Sequence, residues 1–103
     1  NRLDDVAELL KSGVPLNLRD RFGNTMLAIA CQNGLKRMSK LLLRQGADIN
    51  ASNYKGNTPL MFCYTYGYGE TLGQYLMSKG ADSTMVNKEN LSCFEVDSQF
   101  SSK

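Results

Sequence analysis

Short blocks of apolar residues, separated by segments rich in glycine and asparagine, organise this chain. Between residues 35 and 45 the apolar positions recur at i, i+3, i+6 and i+7, which is the spacing of an amphipathic helix. The predicted helix covers residues 36–45, and its apolar side carries Leu35, Met38, Leu41, Leu42 and Gln45. A further apolar block lies on each side of it, and these blocks predict two shorter helices, over residues 26–33 and 59–66.

The ends of the two shorter helices are marked by residues that favour helix boundaries. Thr25 and Thr58 stand just before them, where a hydroxyl can accept a backbone N–H of the first turn. Gly34 and Gly67 follow the last helical positions, as glycine commonly does after a helix. The segment 48–56, rich in Asn, Asp and Gly, predicts turns rather than a central strand.

The chain repeats itself at an interval of about thirty-three residues. Gly23-Asn24-Thr25 is matched thirty-three residues later by Gly56-Asn57-Thr58, whereas Gly46-Ala47-Asp48 is matched thirty-four residues later by Gly80-Ala81-Asp82. The second copy therefore contains one inserted residue, which we place in Gly67-Tyr68-Gly69. A helix pair of this size must stack on a neighbour to bury its apolar side.

We interpret residues 1–103 as a single domain made of four units. These are a partial repeat (1–19), two full repeats (20–52 and 53–86), and a partial capping repeat with a tail (87–103).

The repeated residues resemble the ankyrin repeat, whose signature T-P-L-H-x-A is followed by L-L-x-x-G-A-D-x-N. Thr58-Pro59-Leu60 matches the first motif and residues 42–50 match the second. The resemblance runs from about residue 2 to residue 96, and it implies an all-α ankyrin-repeat solenoid of stacked antiparallel helix pairs with short β-hairpin-like turns. Ala28 and Met61 replace the histidine of the family, so we expect the hydrogen bond of that histidine to be lost.

Composition excludes several kinds of site. The chain has no histidine, so it contains no Ser-His-Asp triad, no Cys-His pair and no zinc site with a histidine ligand. Cys31, Cys63 and Cys93 form no C-x-x-C pair, so we expect free, buried thiols and an intracellular location, cytoplasmic or nuclear. No catalytic residue, metal site, cofactor or small-molecule substrate is predicted, and no apolar run is long enough to cross a bilayer.

The net charge of +2 is distributed unevenly along the chain. Residues 19–55 sum to +5, because seven basic side chains face two acidic ones. Four of these bases form a stripe on the predicted helix 36–45: Lys36, Arg37, Lys40 and Arg44. We interpret the stripe as a solvated outer face, because no aromatic residue interleaves with it as in single-strand binders. The alternative is a contact with nucleic acid or an anionic membrane.

All five tyrosines fall in the second full repeat. Tyr75 aligns with Leu41 and is predicted to lie in the core, whereas Tyr64 aligns with Cys31 and is predicted to pack between helices. Tyr68 is assigned to the insertion.

The resemblance also implies a function, which is binding of a protein or peptide partner by the concave face of the repeats. In the family the contacts concentrate beside the turn glycine and at the end of the inner helix. In this chain those positions are Arg21, Phe22, Asn24, Gln32, Asn33, Tyr54, Lys55, Asn57, Thr65 and Tyr66.

An exposed aromatic side chain ringed by cations suits an extended or helical peptide with an acidic bias. Phe22 would be that side chain, with Arg21 and Lys55 around it. The alternative is that Phe22 and Tyr54 only pack against adjacent turns. We expect a monomeric domain of a larger protein, and a third alternative is a structural spacer inside a larger enzyme or channel.

Overall fold

The computed structural model describes residue 16 and residues 18–96. Most of the predicted partial repeat 1–19 and the tail after Val96 lie outside these residues. The described part is helical and contains no sheet, with one isolated backbone bridge between Arg19 and Thr25. Its α-helices are α1 (Met26–Gln32), α2 (Lys36–Arg44), α3 (Pro59–Thr65), α4 (Gln74–Ser78) and α5 (Cys93–Val96), with a π-helical turn (Gly69–Gly73) leading directly into α4.

The predicted helix boundaries are confirmed to within one residue. The Thr25 hydroxyl accepts the Ala28 amide at 3.2 Å, and the Thr58 hydroxyl accepts the Met61 amide at 3.3 Å. The residues after the two short helices are caps rather than helical residues, so α1 and α3 each end one residue earlier than predicted. Gly34 and Gly67 follow these caps with φ of 66° and 89°, the left-handed conformation that favours glycine.

Stacking of the helix pairs produces one core. Helix α1 packs against α2 and α3, and α3 packs in turn against the π turn and α5. Leu27, Leu42, Leu60 and Leu76 are almost completely buried at this stack, one from each of the first four helices. The molecule is therefore an all-α solenoid in which each helix pair buries its apolar side against the next one.

The buried side of α2 agrees with the predicted one at Leu42 and Met38 but not at its ends. Leu35 is the N-cap of α2 and is exposed, and Gln45 at the other end is exposed as well. The buried positions are Ser39 and Leu42. Burial of Ser39 is possible because its hydroxyl donates to the Leu35 carbonyl at 2.9 Å, so no polar group is left unpaired.

The inserted residue lies after Tyr68, in the π turn Gly69–Gly73, which shares only Gly69 with the predicted stretch. The Tyr68 amide donates to the Cys63 carbonyl, just as the Leu35 amide donates to the Ala30 carbonyl thirty-three residues earlier. Tyr68 is thus the equivalent of Leu35, and its assignment to the insertion is wrong. The Tyr68 carbonyl then accepts from Gly73, five residues on, and the extra residue is taken up in this wider turn.

The π turn packs against the one large side chain that its repeat has gained. Tyr64 takes the position of Cys31 and is buried between the helices, which confirms the prediction for it. A Cβ placed on Gly69 would collide with the Tyr64 ring, and one on Gly73 would lie 3.2 Å from the same ring. On its other side the ring meets Phe94 edge-on, with the centroids 5.2 Å apart.

Met61 corrects the expectation that the histidine hydrogen bond is lost in both repeats. The Thr58 amide donates to the Met61 sulfur at 3.4 Å, and this thioether completes a capping box with the Thr58 hydroxyl. Sulfur is a weak acceptor, but it satisfies a buried amide at this position. Ala28 has no side-chain acceptor, so the expectation holds in the first full repeat only.

Candidate partner-binding groove

The turn before each inner helix is closed by one side chain at an equivalent position. The Asn53 side-chain oxygen accepts the amides of Lys55 and Asn57, at 2.9 and 3.0 Å. Asn87 closes the next turn in the same way, and Asp20 closes the preceding one with a carboxylate. Desolvation acts to raise the pKa of Asp20, but hydrogen bonds from the amides of Asn24 and Phe22 lower it below its usual value.

These turns are joined to one another by a ladder of asparagine side chains. The Asn53 amide nitrogen donates to the Asn24 side-chain oxygen at 2.8 Å. The Asn87 amide nitrogen donates to the Asn57 side-chain oxygen, also at 2.8 Å. A backbone bond from Tyr54 to the Phe22 carbonyl, 3.1 Å long, adds to the first of these rungs. The turn tips are therefore held at a fixed spacing, which makes the surface between them rigid.

An open groove of about 750 Å³ runs along the turn tips and the inner helices α1 and α3. All ten residues predicted as partner contacts line this groove. Sequence reasoning missed four apolar residues that also line it, which are Ile29, Met61, Phe62 and Val96. The helical period would have found two of them, because Ile29 lies three and four residues before Gln32 and Asn33, and Phe62 is spaced in the same way from Thr65 and Tyr66.

The aromatic side chains of the groove differ in how far they are engaged in contacts within the chain. Phe22 is 55% exposed, and its ring contacts the Arg21 guanidinium, whose carbon lies 4.9 Å from the ring centroid. Tyr54 is also exposed, but its ring covers Gly23 so closely that a Cβ there would lie 2.7 Å from it. Tyr66 stacks on Phe62 with the centroids 6.2 Å apart. The alternative prediction, that Phe22 and Tyr54 only pack against adjacent turns, therefore fits Tyr54. The Phe22 ring remains exposed.

The charges along the groove are mixed. Arg21 and Lys55 line it as predicted, and Asp20 and Glu89 line it too. The Asp20 carboxylate is exposed but engaged within its own turn, since it accepts two backbone amides and the Asn24 side chain. Arg21, Lys55 and Glu89 therefore remain as the charges that can meet a ligand, and Arg21 lies over the Phe22 ring.

The outer helices carry a second feature, and it contradicts the reason given for interpreting the basic stripe as a solvated face, although the four residues of the stripe are all exposed as that interpretation expects. The ammonium groups of Lys36, Lys40 and Lys79 lie 5.6, 5.1 and 5.8 Å from the centroid of the Tyr75 ring. An aromatic residue therefore does interleave with the basic stripe, which the sequence alone did not indicate. Tyr75 was predicted to lie in the core. It packs against the core but is only partly buried.

The cysteine side chains are packing residues in this arrangement. All three are free and buried, as expected. A hydrogen bond with Cys31 and burial raise the pKa of Cys63, and burial raises the pKa of Cys93. Thiols with raised pKa values stay protonated and are poor nucleophiles. Among residues 16 and 18–96 no group of three or more acidic or cysteine side chains is placed to hold a metal ion.

The described helices are all too short or too polar to cross a membrane.

Comparison with known proteins agrees with this architecture. The model of the family "Ankyrin repeats (3 copies)" matches residues 1–87. The human ankyrin repeat domain-containing protein 63 is 38% identical over 67 residues, which are 65% of this chain and 18% of that protein. An ankyrin repeat protein of fowlpox virus (strain NVSL) is 35% identical over 95 residues, or 90% of this chain and 21% of the viral protein.

A third relative is an enzyme by name. The tyrosine-protein kinase HTK16 of Hydra vulgaris is 35% identical over 88 residues, which are 82% of this chain and 12% of the kinase. The chain thus spans about a fifth or less of the length of these relatives. The repeated motifs, the stacked helix pairs and the family match agree, and the chain belongs to the ankyrin repeat family.

Proposed function

We propose that this chain is a non-catalytic module that binds a segment of a partner protein in the concave groove between the turn tips and helices α1 and α3. Ankyrin repeats are generally protein–protein interaction modules, and the groove is the surface that equivalent positions of the two full repeats share. The observation that carries the proposal is Phe22, an aromatic ring that is 55% exposed on a turn held by hydrogen bonds. Exposed aromatic side chains on a rigid surface are the residues that dominate binding energy at interfaces.

The chemistry of the groove favours a peptide segment with one apolar side chain and flanking acidic residues. Ile29 and Phe62 offer an apolar floor for the apolar side chain, and Arg21 and Lys55 lie at the rim to meet carboxylates. Rim charges mainly set orientation and association rate, so the apolar contact should supply most of the affinity. Asn24 is left out of the proposed contact set, because both ends of its amide are engaged in the turn.

The remaining parts of the proposal concern the larger protein. We infer a monomeric intracellular domain, since three free thiols fit a reducing compartment. The units 1–19, 20–52, 53–86 and 87–103 remain our proposed division of the chain. A structural spacer inside a larger enzyme is the competing function, and the Hydra kinase shows that such repeats occur in the same chain as a kinase. A structural spacer would retain no partner protein in a pull-down with this chain as bait.

The test begins with the 103-residue chain and its Phe22→Ala variant as parallel baits. A protein retained by the first and lost by the second is the candidate partner, and its binding is then measured by calorimetry. We expect Phe22→Ala and Tyr66→Ala each to weaken binding by about 1–3 kcal/mol, as for central interface residues. Lys40→Glu lies on the outer helix α2 and is the matched control, with binding unchanged.

Circular dichroism should show that all three variants keep the helical fold. If Lys40→Glu alone weakens binding, the partner contacts the basic stripe and the groove proposal is wrong.

A further inference from the structure

The outer face of the solenoid concentrates positive charge around one ring. Lys36 and Lys40 lie one turn apart on α2, and Lys79 is the C-cap of α4, yet all three ammonium groups approach Tyr75 within 5.8 Å of its centroid. Arg44 follows one further turn along α2 and lies beside the same ring in a shallow depression. We call Lys36, Lys40, Arg44, Lys79 and Tyr75 the convex cluster.

No acidic side chain among residues 18–96 forms an ion pair with the convex cluster, and Asp48, Glu70 and Asp82 are the nearest acidic residues along the chain. Neither segment 36–47 nor segment 71–81 contains an acidic residue. Within residues 18–96 the three ammonium groups have no hydrogen-bond or ion-pair partner, and their contact is with the electron-rich face of Tyr75. Cation–π contacts offset part of the mutual repulsion of the lysines, but they leave the positive charge in place.

An open depression lies beside the convex cluster. The depression has a volume of about 410 Å³, and Leu43 and Ile49 form its apolar floor. Lys40, Arg44 and Lys79 line the same depression. A volume in this range falls within that of small-molecule sites.

We propose that the convex cluster binds a compact ligand that carries two or more neighbouring phosphate groups. Each phosphate monoester brings a charge of about −1.5 to −2 and three acceptor oxygens, so two of them match three or four converging cations. Arg44 can hold phosphate oxygens in a bidentate manner, and the lysines act as point charges. The site is separate from the groove, because it lies on α2 and α4 rather than on α1 and α3.

Other anions fit this arrangement less well. Proteins that bind single-stranded nucleic acid stack bases on aromatic faces, and here lysine ammonium groups lie over the Tyr75 ring. A peptide carboxylate brings a single charge, so several side chains would have to crowd into one depression to balance the cluster. A phosphate cluster could reach this site as a free molecule or as the headgroup of a lipid, and the experiment distinguishes the two.

The experiment titrates the 103-residue chain with inositol hexakisphosphate and, separately, with sulfate, by calorimetry at about 0.1 M salt. We expect one site for inositol hexakisphosphate and an affinity at least about thirty-fold higher than that for sulfate. Phosphatidylcholine vesicles with and without about 5% phosphatidylinositol 4,5-bisphosphate test the lipid source by co-sedimentation. Retention on the phosphorylated vesicles assigns a lipid headgroup, and binding of the free anion alone assigns a soluble ligand.

Variants tie the binding to the cluster. The double substitution Lys40→Gln with Lys79→Gln should weaken the binding of inositol hexakisphosphate at least about tenfold. The control, Lys55→Gln with Lys88→Gln, removes the same charge at positions outside the cluster. Its affinity should stay within about twofold of that of the unchanged chain. Tyr75→Leu, which installs the residue of the first full repeat, should weaken binding several-fold because the lysines lose their common contact.

The proposal is overturned if neither the anion nor the vesicles bind, or if the two double variants lose affinity equally. It is also overturned if a short DNA duplex binds more tightly than inositol hexakisphosphate with the same dependence on Lys40 and Lys79.

Discussion

Asn53 and Asn87 show how a single side chain can serve both its own turn and the next repeat. The oxygen of each amide closes the turn in which it lies, and the nitrogen donates to an asparagine one repeat earlier. A carboxylate can do only the first of these tasks, because it has no donor when ionised. The spacing of the turn tips, and with it the shape of the groove, therefore depends on amides at these positions.

Substitutions of Asn53 should separate these two tasks. Asn53→Asp keeps the acceptor for the amides of Lys55 and Asn57 but loses the donor to Asn24. We therefore expect the free energy of unfolding to fall by about 1 kcal/mol. Asn53→Ala loses both and should cost more, about 2–3 kcal/mol. Urea denaturation followed by circular dichroism measures the two free energies.

The control for this series is Asn33→Ala, which removes one exposed hydrogen bond from the Asn33 side chain to the Ile29 carbonyl. This change should alter the free energy of unfolding by less than about 0.5 kcal/mol. Equal stability of Asn53→Asp and Asn53→Ala would show that the turn bonds contribute nothing.

Single residues were predicted well from sequence where their role is local. Thr25 and Thr58 cap their helices because the hydroxyl needs only the amides of the next turn. The thioether of Met61 was not expected as an acceptor, because methionine at a buried position ordinarily serves as an apolar side chain.

At the scale of elements, the π turn Gly69–Gly73 is the main difference between the two full repeats. Three changes occur together: a residue is inserted, Tyr64 replaces a cysteine, and Gly73 takes the position of Ser39. The two glycines leave the space that the Tyr64 ring fills. The wider turn and the larger side chain of Tyr64 therefore pack together and depend on each other.

A double-mutant cycle tests this coupling. Gly69→Ala should destabilise the chain by about 1–3 kcal/mol, because its methyl group collides with the buried ring of Tyr64. In a Tyr64→Cys background the same change should cost little, or stabilise by up to about 1 kcal/mol as alanine replaces glycine in a helix. Denaturant unfolding of the four proteins gives the coupling energy. Additive effects of the two substitutions would mean that the ring and the turn are independent.

The sequence revealed that an insertion exists but not where it lies. The change of interval from thirty-three to thirty-four residues is visible in the repeated glycines. Its position depends on how the Tyr64 ring packs against Gly69 and Gly73, which is a contact between two helices that spacing along the chain does not reveal. The same limit applies to Tyr75, whose three lysine neighbours come from two different helices.

At the scale of the whole molecule, the stack creates two surfaces of different chemistry. The inner helices and turn tips form the groove, which combines exposed aromatic rings with a few charges. The outer helices carry the convex cluster. The ten groove residues were expected from the resemblance to the ankyrin repeat, in which partner contacts lie beside the turn glycine and at the end of the inner helix. The structure brings them to one groove, and Ile29 and Phe62 join it only once α1 and α3 are in place. A partner protein and a phosphate ligand could therefore bind without competing.

The most direct test of the central claim is a map of the partner contact on the chain. Once the partner is identified, 15N-labelled chain is titrated with it and the backbone amide signals are followed by NMR. We expect the largest shifts in segments 20–24 and 53–57 and at the ends of α1 and α3, residues 29–33 and 62–66, because these segments line the groove. Shifts concentrated in α2 and α4, at residues 36–44 and 74–79, would contradict the account by placing the partner on the outer face.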